Sequence, residues 1–210
     1  MNDHYFSESP SSKSEPETLS VIYKDETFRF WTDHGVFSRK ELDPGSELLI
    51  ETIESELTST SPSKSMDFLD LGSGYGPVAC ILGKRHPKLK LHLSDVNTRA
   101  IDLCHRNLKA LNLVGDVRLS DGMSAWDNHL FDMIAFNPPI RIGKQAVFRL
   151  YDEAIEHLAD EGTLYLVIGK KQGADSHQRY LETHDLLKVR RLVRARGYVV
   201  LRCQKNYSDR

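Results

Sequence analysis

The 210-residue sequence is poor in cysteine, has no long apolar run and carries almost no net charge. Its three cysteines, Cys80, Cys104 and Cys203, lie far apart and without metal-ligand spacing, so we expect reduced thiols and no metal site. No apolar stretch approaches membrane-spanning length, and the N-terminus lacks an apolar signal segment, which predicts a cytoplasmic protein with no membrane contact. The net charge of −2 requires no nucleic-acid partner, so any surface for one must be local.

The first sixty residues predict a tail followed by a small extension. Residues 1–18 are rich in Ser, Glu and Pro, a composition typical of a flexible tail, in which Tyr5 and Phe6 are expected to anchor the tail to the body. Two β-rich runs and a helical apolar pattern over about Pro44–Leu57 predict a hairpin and an amphipathic helix within residues 19–60.

The remainder, residues 61–210, predicts the main domain. A Ser/Thr/Pro-rich linker over residues 58–65 leads into it. Apolar strand-like runs then alternate with amphipathic helical patterns, and two runs near the end look like a closing strand pair. This alternation predicts an α/β fold with a parallel sheet and right-handed crossovers.

A glycine-rich turn is the most informative stretch of the chain. A buried strand-like run, three alternate glycines and a helix-starting proline follow one another: Asp70, Gly72, Gly74, Gly76 and Pro77. Glycine has no Cβ, so a ligand can lie directly against this backbone. The turn also offers free N–H groups and a helix N-terminus, as in the first unit of a nucleotide-binding sheet.

The spacing of the glycines and the next acids indicates which nucleotide is bound. The pattern G-x-G-x-G differs from the dinucleotide fingerprint and resembles motif I of class I S-adenosylmethionine-dependent methyltransferases. Asp95 follows Gly76 by about twenty residues, the separation at which an acid accepts ribose hydroxyls, although an acid at a helix N-terminus is the alternative. Asp121, followed by Gly122, is predicted to accept from the adenine amino group, or else is a turn aspartate.

The stretch Asn137-Pro138-Pro139-Ile140 follows the fourth strand of the predicted sheet. The prolines remove N–H donors and leave two acceptors, the Asn137 side-chain oxygen and the Pro138 carbonyl. Such a pair suits a planar amino group and directs its lone pair at a methyl donor, so catalysis would come from orientation and electrostatics without an essential His or Cys. A Pro-Pro turn capped by asparagine is the alternative.

Together these motifs resemble the methyltransferase small-domain family, which includes ribosomal RNA guanine-N2 methyltransferases. The resemblance covers nearly the whole chain and is nearest to the stand-alone bacterial members. It implies a Rossmann-like class I methyltransferase sheet with helices on both faces, and it places Gly35-Val36-Phe37-Ser38 at the methyl-donor end of the cofactor. The cofactor-binding residues predicted in this way are Gly35, Val36, Phe37, Asp70, Gly72, Gly74, Gly76, Pro77, Asp95, Val96, Asn97, Asp121, Gly122 and Asn137, and the catalytic ones are Asn137, Pro138, Pro139 and Ile140.

The acceptor is the open question. Relatives carry Tyr or Phe where this chain has Ile140, so Phe37 or Tyr5 is considered as the missing aromatic platform. The basic residues that follow the strand ends predict phosphate contacts at the mouth of the site: Arg141, Lys144, Lys170 and Lys171. The basic stretch from Lys188 to Lys205 fits a solvated sheet edge at least as well.

Three functions fit this pattern. The first is a monomeric RNA methyltransferase acting on an exocyclic amine, most simply guanine N2 in ribosomal RNA. The second is a protein glutamine N-methyltransferase, because an amide nitrogen suits the same acceptors. The third is a catalytically silent S-adenosylmethionine-binding ribosome-assembly factor. A nicotinamide dehydrogenase is disfavoured by the glycine spacing and has no use for Asn137-Pro138-Pro139.

Overall fold

The computed structural model describes residues 13–206, so most of the predicted tail, including Tyr5 and Phe6, lies outside the described residues. Within them, nine strands and five helices form a hairpin and a central seven-stranded sheet covered by helices on both faces. In chain order the elements are β1 (Glu17–Tyr23), β2 (Glu26–Thr32), α1 (Pro44–Thr60), β3 (Met66–Leu71), α2 (Pro77–Arg85), β4 (Leu89–Asp95), α3 (Thr98–Ala110), β5 (Gly115–Leu119), β6 (Phe131–Phe136), α4 (Lys144–Glu156), β7 (Leu158–Gly169), α5 (Ala174–Leu181), β8 (Leu187–Ala195) and β9 (Tyr198–Lys205).

The central sheet has the strand order β5-β4-β3-β6-β7-β9-β8. Strands β3 to β7 are parallel, and β9 is antiparallel to both β7 and β8, so the predicted closing pair extends one edge. The chain runs outward from β3 to β5 and then returns to the other side of β3 at β6. Ligands bind in α/β sheets where the strand order reverses in this way. The α/β fold predicted from the sequence is confirmed, with a mixed rather than a wholly parallel sheet.

Each face of the sheet has its own core, because neighbouring residues of a strand point to opposite faces. In β3, Phe68 lies in the core beneath α1, α2 and α3, whereas Leu69 lies in the core beneath α4 and α5. Both side chains are fully buried, which explains why β3 is apolar without alternation. The two cores hold the strand ends, and therefore any residues that follow them, in fixed positions.

The N-terminal extension packs on the first of these cores. Glu54 of α1 is buried and accepts from the Tyr23 hydroxyl at 2.5 Å and from Arg85 Nε at 2.5 Å, while Lys24 Nζ lies 2.6 Å away. Burial opposes ionisation, but these donors outweigh it and lower the pKa of Glu54 to about 2. One carboxylate thus joins the hairpin, α1 and α2.

Three predicted boundaries differ from the structure. The first strand begins at Glu17, inside the predicted tail, and Asp33 accepts from Ser14 and from the Glu15 N–H. Helix α1 continues to Thr60 and ends where Ser61 adopts the left-handed conformation, so the predicted linker is shorter. The apolar run from Thr163 to Ile168 predicts a strand that begins at Thr163, but β7 begins at Leu158 because a register shift in its pairing with β6 accommodates the additional residues.

None of the helices within residues 13–206 is both long and apolar enough to cross a membrane.

Candidate active site

Two adjoining cavities, of about 270 Å³ and about 40 Å³, open at the carboxyl ends of β3, β4 and β6. Together they approach the lower end of ligand-pocket sizes, about 300 Å³. The predicted residues that line the larger cavity are Val36, Phe37, Gly72, Gly74, Asp95, Val96, Asn97, Asp121, Gly122, Asn137, Pro138 and Pro139. Asp70 and Pro77 line the smaller one. The predicted residues outside both linings are Gly35, Gly76, Ile140, Arg141, Lys144, Lys170 and Lys171.

The three glycines of the turn have different functions. All of them have positive φ, +66° at Gly72, +56° at Gly74 and +83° at Gly76. A Cβ on Gly74 would meet nothing within 4 Å, so this backbone borders open cavity. A Cβ on Gly76 would lie 3.1 Å from a Leu93 methyl carbon and 3.2 Å from Cys104 Sγ. Gly74 therefore leaves room for a ligand, whereas Gly76 allows the turn to pack on the core.

Two carboxylates hold the turn in shape. Asp95 accepts from the Gly74 N–H at 2.8 Å and from the Asn97 N–H at 2.9 Å, and burial raises its pKa. Asp70 accepts from the Ala79 N–H at 3.0 Å, in the first turn of α2, and burial raises its pKa from 3.8 to about 7. Both side chains border the cavities, so each is positioned to act on a ligand as well as on the backbone.

The loop before α1 joins the site through Asn97. The Asn97 side chain donates to the Gly35 carbonyl at 2.8 Å and accepts from the Arg99 N–H at 3.0 Å, so it also caps α3. This contact places Gly35 behind the cavity wall and brings Val36 and Phe37 into it. Phe37 stays 45% exposed, as expected for an aromatic ring at the mouth rather than in the core.

The Asp121 carboxylate is more exposed than its neighbours. It accepts from Arg149 of α4 at 3.0 Å, and its side chain is 69% exposed. The neighbouring residue, Gly122, also lines the larger cavity. Any contact between Asp121 and an adenine amino group therefore competes with the Arg149 ion pair.

The orientation of the Asn137 amide is fixed by two partners. Its Nδ2 donates to Asp43 Oδ2 at 3.0 Å and to Ser46 Oγ at 3.0 Å. The flipped amide would place an oxygen against the Asp43 carboxylate, which has no proton to offer. Oδ1 accepts no hydrogen bond from any of the described residues 13–206, and Asn137 lines both cavities. The side chain thus presents an acceptor to the site.

The backbone after Asn137 supplies the second predicted acceptor. The Pro138 carbonyl accepts from the Ile140 N–H at 2.9 Å and retains a second lone pair. A short 3₁₀ turn follows over Ile140–Ile142, and it is Ile142, 39% exposed, that lines the cavity. Ile140, predicted as a catalytic residue, lies outside this lining.

Sequence reasoning missed Asp43 and Ser46. Asp43 accepts from the Ser46 N–H at 2.8 Å, the ordinary arrangement of a helix N-cap, and that pattern gives no sign of a second partner. The contact with Asn137 spans more than ninety positions of sequence and exists only because α1 packs across the sheet over β7 and β9, next to the end of β6. No local signal identifies it.

The predicted cations lie outside the linings of both cavities. Arg141, Lys144, Lys170 and Lys171 are all exposed, and none forms an ion pair with another residue in the described part of the chain. Lys144 lies over the Phe148 ring at 5.3 Å from the centroid. Their charge is available to an anionic partner.

The residues present fit the predicted cofactor. The open backbone at Gly74 leaves a cradle that a Cβ would fill, and Asp70 and Asp95 offer carboxyl oxygens to hydroxyl or amino groups of the ligand. Apolar side chains complete part of the larger cavity, among them Val36, Phe37, Leu71 and Phe136, and they suit the face of a nucleoside.

Comparisons with known proteins show what this chain is similar to. A family model described as the methyltransferase small domain matches residues 27–202. An uncharacterised Bacillus subtilis protein, YbxB, is 38% identical over 98% of this chain and 100% of its own length. Ribosomal RNA small subunit methyltransferase C is 40% identical over 63% of this chain in Pectobacterium atrosepticum and 34% identical over 72% in Vibrio cholerae. This chain spans only 37% and 43% of those two proteins.

Solved structures show the same fold. The T. thermophilus 16S rRNA N2 methyltransferase RsmC, in complex with AdoMet and guanosine, superposes with a TM-score of 0.77 at 23% identity, over 92% of this chain and 52% of that one. A ribosomal protein L11 methylase from Lactobacillus delbrueckii has a TM-score of 0.59 at 19% identity, over 82% of this chain and 89% of its own.

Proposed function

The chain belongs to the methyltransferase small-domain family and uses S-adenosylmethionine as its cofactor, and from this premise we propose that it methylates guanine N2 in ribosomal RNA. The observation that carries the proposal is the Asn137 amide, whose oxygen is left free for an acceptor while Asp43 and Ser46 hold its nitrogen. The cofactor supplies an activated methyl group on sulfur.

The chain's own contribution is to orient the amine. An exocyclic amino group has two N–H bonds, and Asn137 Oδ1 and the Pro138 carbonyl are two acceptors that lie side by side after β6, where both residues line the cavity. When both N–H bonds are engaged, the nitrogen lone pair is directed away from the acceptors and into the site. The acceptors also stabilise the positive charge that develops on nitrogen, so no general base is required at the start of transfer.

Phe37 and Ile142 are the residues that we assign to the target base. Both are exposed apolar side chains at the mouth of the larger cavity. An unstacked base would replace its lost stacking partners by contact with them. In this proposal, Phe37 and Ile142 contact the target base in place of the aromatic residue that relatives carry at the position of Ile140.

The rim cations are assigned to the RNA backbone. Arg141 and Lys144 adjoin the 3₁₀ turn after Pro139, and Lys170 and Lys171 follow β7 at the same edge of the sheet. Unpaired surface cations hold phosphates without reading sequence. A ribosomal RNA substrate implies a cytoplasmic enzyme, and we propose that it acts as a monomer.

The curated relatives named ribosomal RNA small subunit methyltransferase C support an RNA acceptor, although this chain spans less than half of each. The test is tritium transfer from labelled S-adenosylmethionine to hypomethylated small subunits, to naked ribosomal RNA and to a protein extract. We expect label in guanine N2 of one of the RNA samples and its loss in Asn137→Ala, with unchanged cofactor affinity. Label in a glutamine side chain would instead establish a protein glutamine N-methyltransferase. Cofactor binding without label in any sample would establish a catalytically silent ribosome-assembly factor.

A further inference from the structure

We propose that Asp67, His92 and His129 form a binding site for a divalent transition-metal ion of the zinc class, far from the methyl-transfer site. One ligand atom of each residue lies within 4.8 Å of the other two. The three side chains come from β3, from β4 and from the loop before β6. The expectation of no metal was based on cysteine spacing, which says nothing of ligands that only the fold assembles.

The geometry is close to that of a tetrahedral ion. His92 Nε2 lies 2.9 Å and His129 Nε2 lies 3.5 Å from the same oxygen, Asp67 Oδ1. With bonds of about 2.0–2.2 Å, neighbouring ligand atoms of a tetrahedral zinc ion are about 3.3 Å apart. His129 is partly exposed on a loop and needs the smallest adjustment to complete the set, while water takes the fourth position.

The chemistry of the ligands suits a borderline metal. His92 and His129 each place Nε2 beside the same carboxylate oxygen, Asp67 Oδ1, so all three ligand atoms converge on one point. Two neutral imidazoles and one carboxylate form a ligand set that zinc sites commonly use.

The surroundings hold the ligands in place. The His92 ring packs edge-on against Trp126 at 5.5 Å and against Phe131 at 5.3 Å, and the His129 ring stacks on Phe131 at 4.4 Å. Asp132 accepts from the Asp67 N–H at 2.8 Å and so fixes the backbone of the carboxylate ligand. His92 Nδ1 is buried without a partner among the described residues, so His92 is tied in place by a single polar contact, to Asp67.

The neighbouring charges predict moderate affinity. Lys90 Nζ lies 3.6 Å from Asp67 Oδ2 and opposes a cation, whereas Asp116 adds negative charge but is held by Arg118 at 2.6 Å. The site lies near the amino ends of β3 and β6, at the edge of the sheet opposite the cavities. A bound ion would join three separate segments, and it would not contact the cofactor.

The test uses the full-length, tag-free chain, stripped with chelator and titrated with Zn²⁺ and with Co²⁺ at pH 7.5. We expect one ion per chain, a tetrahedral Co²⁺ absorption band, and a rise in Tm of roughly 5–10 °C at a hundredfold excess over Kd. His129→Gln and Asp67→Asn should each weaken binding at least tenfold and abolish the band. His105→Gln, an exposed histidine on α3, should change neither.

Several outcomes would overturn the proposal. They are no binding in the wild-type chain, binding that His129→Gln and Asp67→Asn leave unchanged, and binding that His105→Gln weakens equally. Because His129 is on a partly exposed loop, a chelator-treated His129→Gln chain should melt like wild type, which separates lost binding from misfolding. None of these measurements depends on methyl transfer, so this proposal and the proposed function fail independently.

Discussion

The Asp43→Asn substitution tests whether the orientation of the Asn137 amide matters for methyl transfer. In the structure the Asp43 carboxylate accepts from Asn137 Nδ2 at 3.0 Å and allows only one orientation of that amide. An amide in its place has the same shape but can present either oxygen or nitrogen. A hydrogen bond to a charged group contributes about 1.5–3 kcal/mol and a neutral one about 0.5–1.5 kcal/mol. The difference, about 1–1.5 kcal/mol, corresponds to a five- to tenfold fall in kcat.

Two other quantities should stay unchanged in Asp43→Asn. Asparagine caps helices as well as aspartate does, so Tm should remain within a degree or two of wild type. The cofactor Kd, measured by calorimetry, should change less than twofold, because asparagine keeps the size and shape of the side chain that lines the smaller cavity beside Asn137. The assay is single-turnover methyl transfer at saturating RNA, with Asp185→Asn, an exposed acid far along the chain, as the matched control. Wild-type kcat, or equal losses in kcat and cofactor affinity, would refute the orienting role of Asp43.

Three further predictions concern the cofactor cradle and the charged groups. Gly74→Ala adds a methyl group that meets no protein atom within 4 Å, so the chain should fold but bind cofactor at least tenfold more weakly. Gly197→Ala has a similar positive φ and open surroundings away from the cavity, and it should leave cofactor Kd unchanged. Because the pKa of Asp70 is about 7 in the fold and 3.8 ordinarily, thermal stability of the cofactor-free chain should fall as pH rises from 4 to 7, and less so in Asp70→Asn. Because the pKa of Glu54 is lowered to about 2 from 4.5, it should stabilise the fold above pH 4.5 and lose this effect toward pH 2, and acid melts of Glu54→Gln should lack that loss.

The fold was predictable because its signals are local. Apolar runs identify each strand of the central sheet, Pro77 marks the start of α2, and Asn97 caps α3 as expected. The element boundaries that differ between prediction and structure depend on tertiary contacts. The predicted tail overlaps β1 because Glu17 pairs with Thr32, a contact that composition does not reveal.

The candidate site was predictable only in its outline. The motifs identify the strand ends that line the cavities, and the resemblance adds Val36 and Phe37. Spacing could not distinguish Gly74, which borders open space, from Gly76, which packs on Leu93. It also could not identify Asp43, because an N-cap has the same pattern whether or not its carboxylate reaches another element.

The most direct measurement is mass spectrometry of nucleosides from ribosomal RNA after incubation of hypomethylated small subunits with this chain and S-adenosylmethionine, with Asn137→Ala in parallel. The account predicts N2-methylguanosine in the wild-type sample and none above background in the variant. Methyl groups on a ring nitrogen or a ribose oxygen, or N2-methylguanosine formed equally well by Asn137→Ala, would contradict it.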